Sequence, residues 1–164
     1  MNQLKDTFLQ IRMTSEQKEG IRDAAATANT DMSSWILSKV ANSQSKEFLL
    51  IVEKLASLKE QSYVYAELHD FLSNCNSSSF SLAVQAIPNL NLSTFQLNYV
   101  AAMVEQRAQQ LHQTLPDWCR ETNRLETPYF GSSLKSLSFY LLLNSLIAFR
   151  RRNIFIDSSI DDRI

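Results

Sequence analysis

Glycine is nearly missing from this chain: Gly20 and Gly131 are the only two among 164 residues. A G-x-G-x-x-G fingerprint or a Walker loop needs several glycines close together, so that backbone can approach a phosphate. Neither can be written here. Tight turns draw on Gly, Asn and Pro, and with only three prolines a many-turned β-sandwich is disfavoured as well. Cysteine is equally scarce. Cys75 and Cys119 stand far apart and in no C-x-x-C pair, which suits reduced thiols rather than a disulfide framework. His69 and His112 are the only histidines, and no Cys or His pair has zinc-ligand spacing. Long apolar runs are lacking too: a stretch such as Phe139 to Leu143 falls far short of the ~20 residues of a membrane helix. Met1 to Asp6 is polar, so no signal peptide is expected. These absences imply a soluble, cytoplasmic protein without membrane, metal or cofactor. Charge of one sign is also missing, with 16 basic against 17 acidic residues and a net charge of −1. That excludes a wholly basic nucleic-acid coat but leaves room for a small local reading surface.

What is present reads as mainly α. The exception is the first segment, where Leu9, Ile11 and Met13 alternate with Phe8, Gln10 and Arg12, the period-two pattern of a strand. Thr14 or Ser15 then caps a helix whose start carries Glu16 and Gln17. Ile21, Ala24, Ala25 and Ala28 form its narrow apolar stripe. Asn29 is a good stop, because Asn tolerates the left-handed conformation, and Asp31 caps a second helix with Met32, Trp35, Ile36 and Val40 at helical spacing. A lone strand leaves its backbone groups unpaired. The simplest partner is the same strand of a second copy, paired antiparallel about a two-fold axis. Leu9, Ile11 and Met13 then face the helices, and Phe8, Gln10 and Arg12 face out.

The runs L-Q-I-R-M-T-S-E-Q-K from Leu9, Ala24-Ala25, and N-T-D-M-S-S-W-I-L from Asn29 resemble the ribbon–helix–helix family over roughly residues 5 to 42. They resemble most the antitoxins of bacterial toxin–antitoxin pairs. Asn29 departs from the glycine many members carry, and Ser34 from their acidic residue. The resemblance implies a dimer that inserts a two-stranded ribbon into the major groove of operator DNA. It assigns base-facing roles to Phe8, Gln10 and Arg12 and a phosphate clamp to Met32 and Ser33, at a helix start where N–H groups suit an anion. The chemistry agrees: arginine gives two donors to guanine, glutamine pairs bidentately with adenine, and Phe8 meets a thymine methyl. Lys5 and Lys39 read equally well as phosphate contacts or as solvated surface.

The chain divides at Ser43-Gln44-Ser45, giving a DNA-binding and dimerisation domain, 1–43, and an all-α helical domain, 44–164. In the second, Phe48, Leu49, Val52, Leu55 and Leu58 make an apolar face, continued by Tyr65, Leu68, Phe71 and Leu72. Asn74 to Ser81 reads as a surface loop. Ser93-Thr94-Phe95-Gln96 spells a capping box opening a long helix with Val100, Met103, Val104, Ala108 and Leu111 inside. Ser132 to Phe149 is apolar nearly all round and is expected to be the central buried helix. Asn153 to Asp157 reads as an extended edge segment. The pieces T-P-Y-F from Thr127, L-L-L-N-S from Leu141 and A-F-R-R-R-N-I-F-I-D from Ala148 resemble the C-terminal region of regulators paired with nucleotidyltransferase-like proteins, over about residues 118 to 160. This implies an interaction domain and no catalytic one.

Arg150, Arg151 and Arg152 are the strongest charge feature. They read either as a solvated cationic helix end, suited to the helix dipole, or as contacts to an acidic partner, a nucleotide phosphate or DNA. Asp157, Asp161 and Asp162 stand close enough in sequence to satisfy them internally. No enzyme is expected: His69-Asp70 are adjacent on a helix and do not face one another, Cys119 beside Trp118 reads as a small buried hydrophobe, and no set of catalytic roles is filled together. The expected function is an antitoxin-like regulator that represses its own operon as a homodimer. Its C-terminal domain neutralises a nucleotidyltransferase-like or acetyltransferase-like toxin. The alternative is a stand-alone repressor with a ligand-sensing or oligomerising C-terminal domain.

Overall fold

A computed structural model describes residues 10–57, 61–87 and 91–157. The chain forms two compact units, Met1–Val40 and Ala41–Ile164. Among the described residues the architecture is mainly helical, with eight helices and one two-stranded sheet.

The N-terminal unit holds α1, Ser15–Thr27, and the start of α2, Met32–Ser57. Thr14 caps α1 through a reciprocal box: its hydroxyl accepts from the Gln17 backbone N–H at 3.2 Å, and its own N–H donates to Gln17 Oε1 at 2.9 Å. Two orphan donors of the first turn are satisfied at once. Asn29 is left-handed at φ 53°, and Thr30 donates back to the Ala25 carbonyl at 3.0 Å, which closes α1. Asp31 then accepts from Ser34 N–H at 2.9 Å and starts α2. Both helices and the turn between them thus follow the sequence reading. Gln10 to Met13 lie in neither helix nor strand. Phe8 and Leu9 fall outside the described residues, so the ribbon strand is not part of the described structure.

Ser43-Gln44-Ser45 is helical within α2, and no linker interrupts the chain there. Neither Gly nor Pro is present to stop the helix, and Ser and Gln cost little in a helix interior.

The C-terminal unit is organised around α5, Thr94–Gln110. Its other elements are α3, Gln61–Asn74; α4, Ser77–Ala83; α6, Asp117–Glu121; β1, Tyr129–Phe130; α7, Lys135–Asn144; α8, Ile147–Arg150; and β2, Ile154–Phe155. Ser93 opens α5 with the expected capping box on Gln96. One core cluster gathers Phe48, Val52, Leu55, Leu68, Phe80, Val84, Val100 and Val104. A second gathers Ala102, Ala148, Phe149, Ile154 and Ile156. The two lie on either side of α5, which is buried along most of its length. Small residues at 101, 102 and 108 let neighbouring elements approach. Buried polar groups tie it to α2 and to the segment after α6. Asn98 donates to the Thr94 and Asn123 carbonyls, each at 2.9 Å, and Gln96 donates to Leu55 O at 2.7 Å.

Three expectations for this unit are corrected. Asn74 to Ser81 is no loop: Asn76 caps α4, its side chain accepting from Ser79 N–H at 2.9 Å, and Phe80 is fully buried. The polar run is a cap followed by a short helix. Ser132 to Phe149 is no central helix either. It breaks at Ser145-Leu146 into α7 and α8, and of α7 only Leu141 is buried. Nor is the unit all-α. Asn153 to Asp157 supplies β2, which is buried and pairs in parallel with β1, Tyr129 opposite Ile154 and Phe130 opposite Phe155. Asn153 turns into it with φ 63°. Gly131 sits where the strands close up: a Cβ there would meet Ile156 Cγ2 at 3.1 Å.

Candidate functional site

Gln10 and Arg12, the described members of the proposed reading face, are both exposed. Met32 and Ser33 form the first turn of α2, Ser33 exposed and Met32 half-buried. The same helix start already carries the Asp31 carboxylate, which holds Ser34 N–H. An anion bound beside Met32 and Ser33 therefore meets a like charge as well as the favourable helix end. Lys39 lies with its ammonium 5.3 Å from the Trp35 ring centroid. The apolar stripes of this unit are open in the single chain. Ala25 is its only buried hydrophobic residue among those described, and Ile11, Leu37 and Val40 are each more than half exposed.

The three arginines separate. Arg150 is exposed at the end of α8. Arg151 Nη1 reaches Glu105 Oε1 at 2.7 Å, and Arg152 Nη2 lies 3.4 Å from Glu105 Oε2 while donating to the Cys119 carbonyl at 2.9 Å. Side-chain exposure divides them: 65% for Arg151, but 6% for Arg152 and 7% for Glu105. Arg152 is thus an internal strut joining the end of α8 to α5 and α6, and no surface for a partner. Glu105, a residue that sequence reasoning missed, is the anchor. Its only signal was an isolated acid inside an apolar helical stripe.

Cys119 packs under this pair. Burial pushes its thiol up to about 12, with the Arg152 guanidinium pulling the other way. Burial also raises the Cys75 thiol. Both cysteines are free and hold their protons at neutral pH, which makes them poor nucleophiles. A pH effect follows. The folded-state value of Cys119 lies above its ordinary 9.0, so the folded chain keeps this proton longer than the unfolded chain does. Its contribution to stability is complete below the ordinary value and is lost as pH rises toward the folded one. Urea unfolding at about pH 9 and about pH 11 should show stability falling, and Cys119→Ala should flatten part of that slope. An unchanged slope in the variant removes the thiol from the titration.

His69 Nδ1 and Asp70 Oδ1 lie 3.8 Å apart, closer than their adjacency on α3 implied. A cleft of about 30 Å³ lies nearby, lined by His69, Met103, Gln106 and Arg107 among others. It has room for a water or two. Arg107 donates to the Ser73 and Cys75 carbonyls at 2.8 and 2.7 Å, placing a cation on the carbonyl end of α3, where it is favoured. Among the described residues no group of three or more His, Cys, Asp and Glu is arranged for a metal ion, and no helix is long and apolar enough to cross a membrane.

The surface feature that sequence reasoning misjudged is α7. Phe139 is 70% exposed and Leu143 61%, with Leu134, Leu137, Tyr140 and Leu142 also exposed around them. Comparison with protein-family models, characterised proteins and solved structures gives no match.

Proposed function

We propose that the chain is an antitoxin-like transcriptional regulator. It acts in the cytoplasm as a homodimer that holds operator DNA through a two-stranded ribbon bearing Phe8, Gln10 and Arg12. Met32 and Ser33 clamp a phosphate. The Ala41–Ile164 unit neutralises a toxin protein, nucleotidyltransferase-like or acetyltransferase-like by the resemblance of its C-terminal part.

One observation carries the dimer reading. An N-terminal unit of forty residues with Ala25 as its only buried hydrophobe among those described does not hold itself together. Units of about that size need a metal, disulfides or a second copy to fold. Its two cleanly capped helices nevertheless present apolar stripes, and Ile11, Leu37 and Val40 stand open for a second copy to cover. The capped helix, left-handed turn and capped helix that follow residues 10–13 are the order that a ribbon–helix–helix unit requires. With few basic residues, affinity is modest and strongly salt-dependent.

The test is a gel shift of the full chain on its own promoter DNA, beside sedimentation of the free protein. A dimer that binds specifically is expected. Arg12→Ala should weaken specific binding by about 1–3 kcal/mol, roughly 5- to 150-fold, with non-specific binding less affected. A monomer at micromolar concentration, or a variant that binds like the parent, overturns the assignment.

A further inference from the structure

We infer that α7 is the inserted helix of a helix-in-groove interface, and that its occupant is a different protein whose apolar groove is rimmed by carboxylates. The inference rests on the reading that the C-terminal unit binds a protein partner, and it names the surface and the partner's chemistry.

The geometry of exposure comes first. At about 100° per residue, Leu142, Phe139, Leu143, Tyr140 and Leu137 fan across an arc of roughly 220°. All five are exposed. Leu141, on the opposite side, is the buried contact with the rest of the unit. A helix that merely packs on one neighbour needs an apolar stripe little more than about 100° wide. An arc twice that width is covered only by a surface that wraps the helix from both sides, which is what a groove does. Contiguous apolar surface of this kind on a monomer marks an interaction site.

Charge selects the occupant. From Thr127 to Ile156 the sequence holds no acidic residue, and its charges are Lys135, Arg150, Arg151 and Arg152. Arg151 and Arg152 are engaged by Glu105. Lys135 and Arg150, both exposed, are left as the charges of this segment that no carboxylate among the described residues engages. A second copy would bring the same positive charges and the same convex helix, like against like. A partner with acidic groups around a concave apolar site complements both features, and such complementarity governs specificity and encounter rate.

The experiment uses the full chain in its own cells, with the photoreactive residue p-benzoylphenylalanine replacing Phe139. The same substitution at Tyr63, an equally exposed position on α3, serves as comparison. Crosslinked adducts are identified by mass spectrometry, and the partner so identified is purified and titrated by fluorescence. The expected result is one adduct with a different protein at 139 and none at 63. Its affinity for the purified full chain should fall about tenfold or more in the Lys135→Glu/Arg150→Glu variant, whose melting temperature stays at the parent value because both sites are exposed. An adduct of two copies of this chain at 139 overturns the inference. So does a partner that crosslinks at 63 and not at 139, or one indifferent to charge reversal, though the partner-binding reading then stands. No adduct with any other protein at either position overturns both.

Discussion

Glu105→Leu is expected to cost about 3–5 kcal/mol of stability, because it leaves the Arg152 guanidinium buried without its counter-ion. The two side chains are almost fully enclosed, and Arg152 is held against the Cys119 carbonyl. Against a typical total of about 5–15 kcal/mol, that loss lowers the melting temperature by roughly 10–15 °C. The informative control is the double variant Glu105→Leu/Arg152→Met. With both charges gone and similar volume kept, it should recover most of the loss, since a buried pair replaced by packed apolar groups is often neutral or better. Arg151→Ala should cost about 0–1 kcal/mol, as befits an ion pair with one exposed partner. Chemical unfolding of these proteins, with Arg152→Met alone to complete the cycle, checks the set. Additive losses in the double variant would show that Glu105 and Arg152 do not act as a pair.

The second large effect is expected at Phe80. Phe80→Ala should destabilise by about 3–5 kcal/mol through lost burial and the cavity left behind. The side chain is completely enclosed among the residues of the larger core cluster. It is delivered there by α4, a helix of seven residues held at its start by Asn76 and Ser79. Tyr63→Ala, on an open surface, should change stability by about 0.5 kcal/mol or less. Urea midpoints at unchanged slope decide the matter. A Phe80 variant as stable as the parent would mean that Asn74 to Ser81 is the surface loop its polar sequence suggests.

Those two positions mark where the sequence was and was not legible. The caps at Thr14, Asp31 and Ser93 and the stop at Asn29 were readable because each is a local event: one side chain, one backbone group, three residues apart. The core faces of α2 and α3 were readable as well, since Phe48, Val52, Leu55, Leu68 and Leu72 recur at helical spacing and are buried. Asn76 defeated the same reasoning because serines on both sides hid a cap inside a low-complexity run. Centrality was misread for a different reason. Apolarity all round a helix is the same signal whether the helix is enclosed by its own chain or awaits another surface, so α7 looked like a core. The true centre, α5, is lined by alanines and valines and by Gln96, Asn98 and Glu105, whose side chains bond to distant segments in a way that no periodicity reveals. Glu105 was unreadable for the same reason, as its partners lie 46 and 47 residues away. At the N-terminus the period-two pattern predicts a strand that residues 10–13 do not form in the single chain, and its pairing with a second copy belongs to the proposed dimer.

The parallel pairing of β1 with β2 ties the two ends of the segment that carries α7. Tyr129 N–H donates to Asn153 O and Gly131 N–H to Phe155 O, each at 2.9 Å. Ser145 Oγ, just past the helix, lies 2.7 Å from Ile156 O. The exposed helix is therefore not a frayed arm but a loop closed at its base and pinned at its far end. Much of the conformational entropy that association removes from a binding segment has already been lost on folding. Preorganisation of this kind favours affinity without adding a contact, and it lets a short helix of ten residues, marginal on its own in water, present a lasting surface.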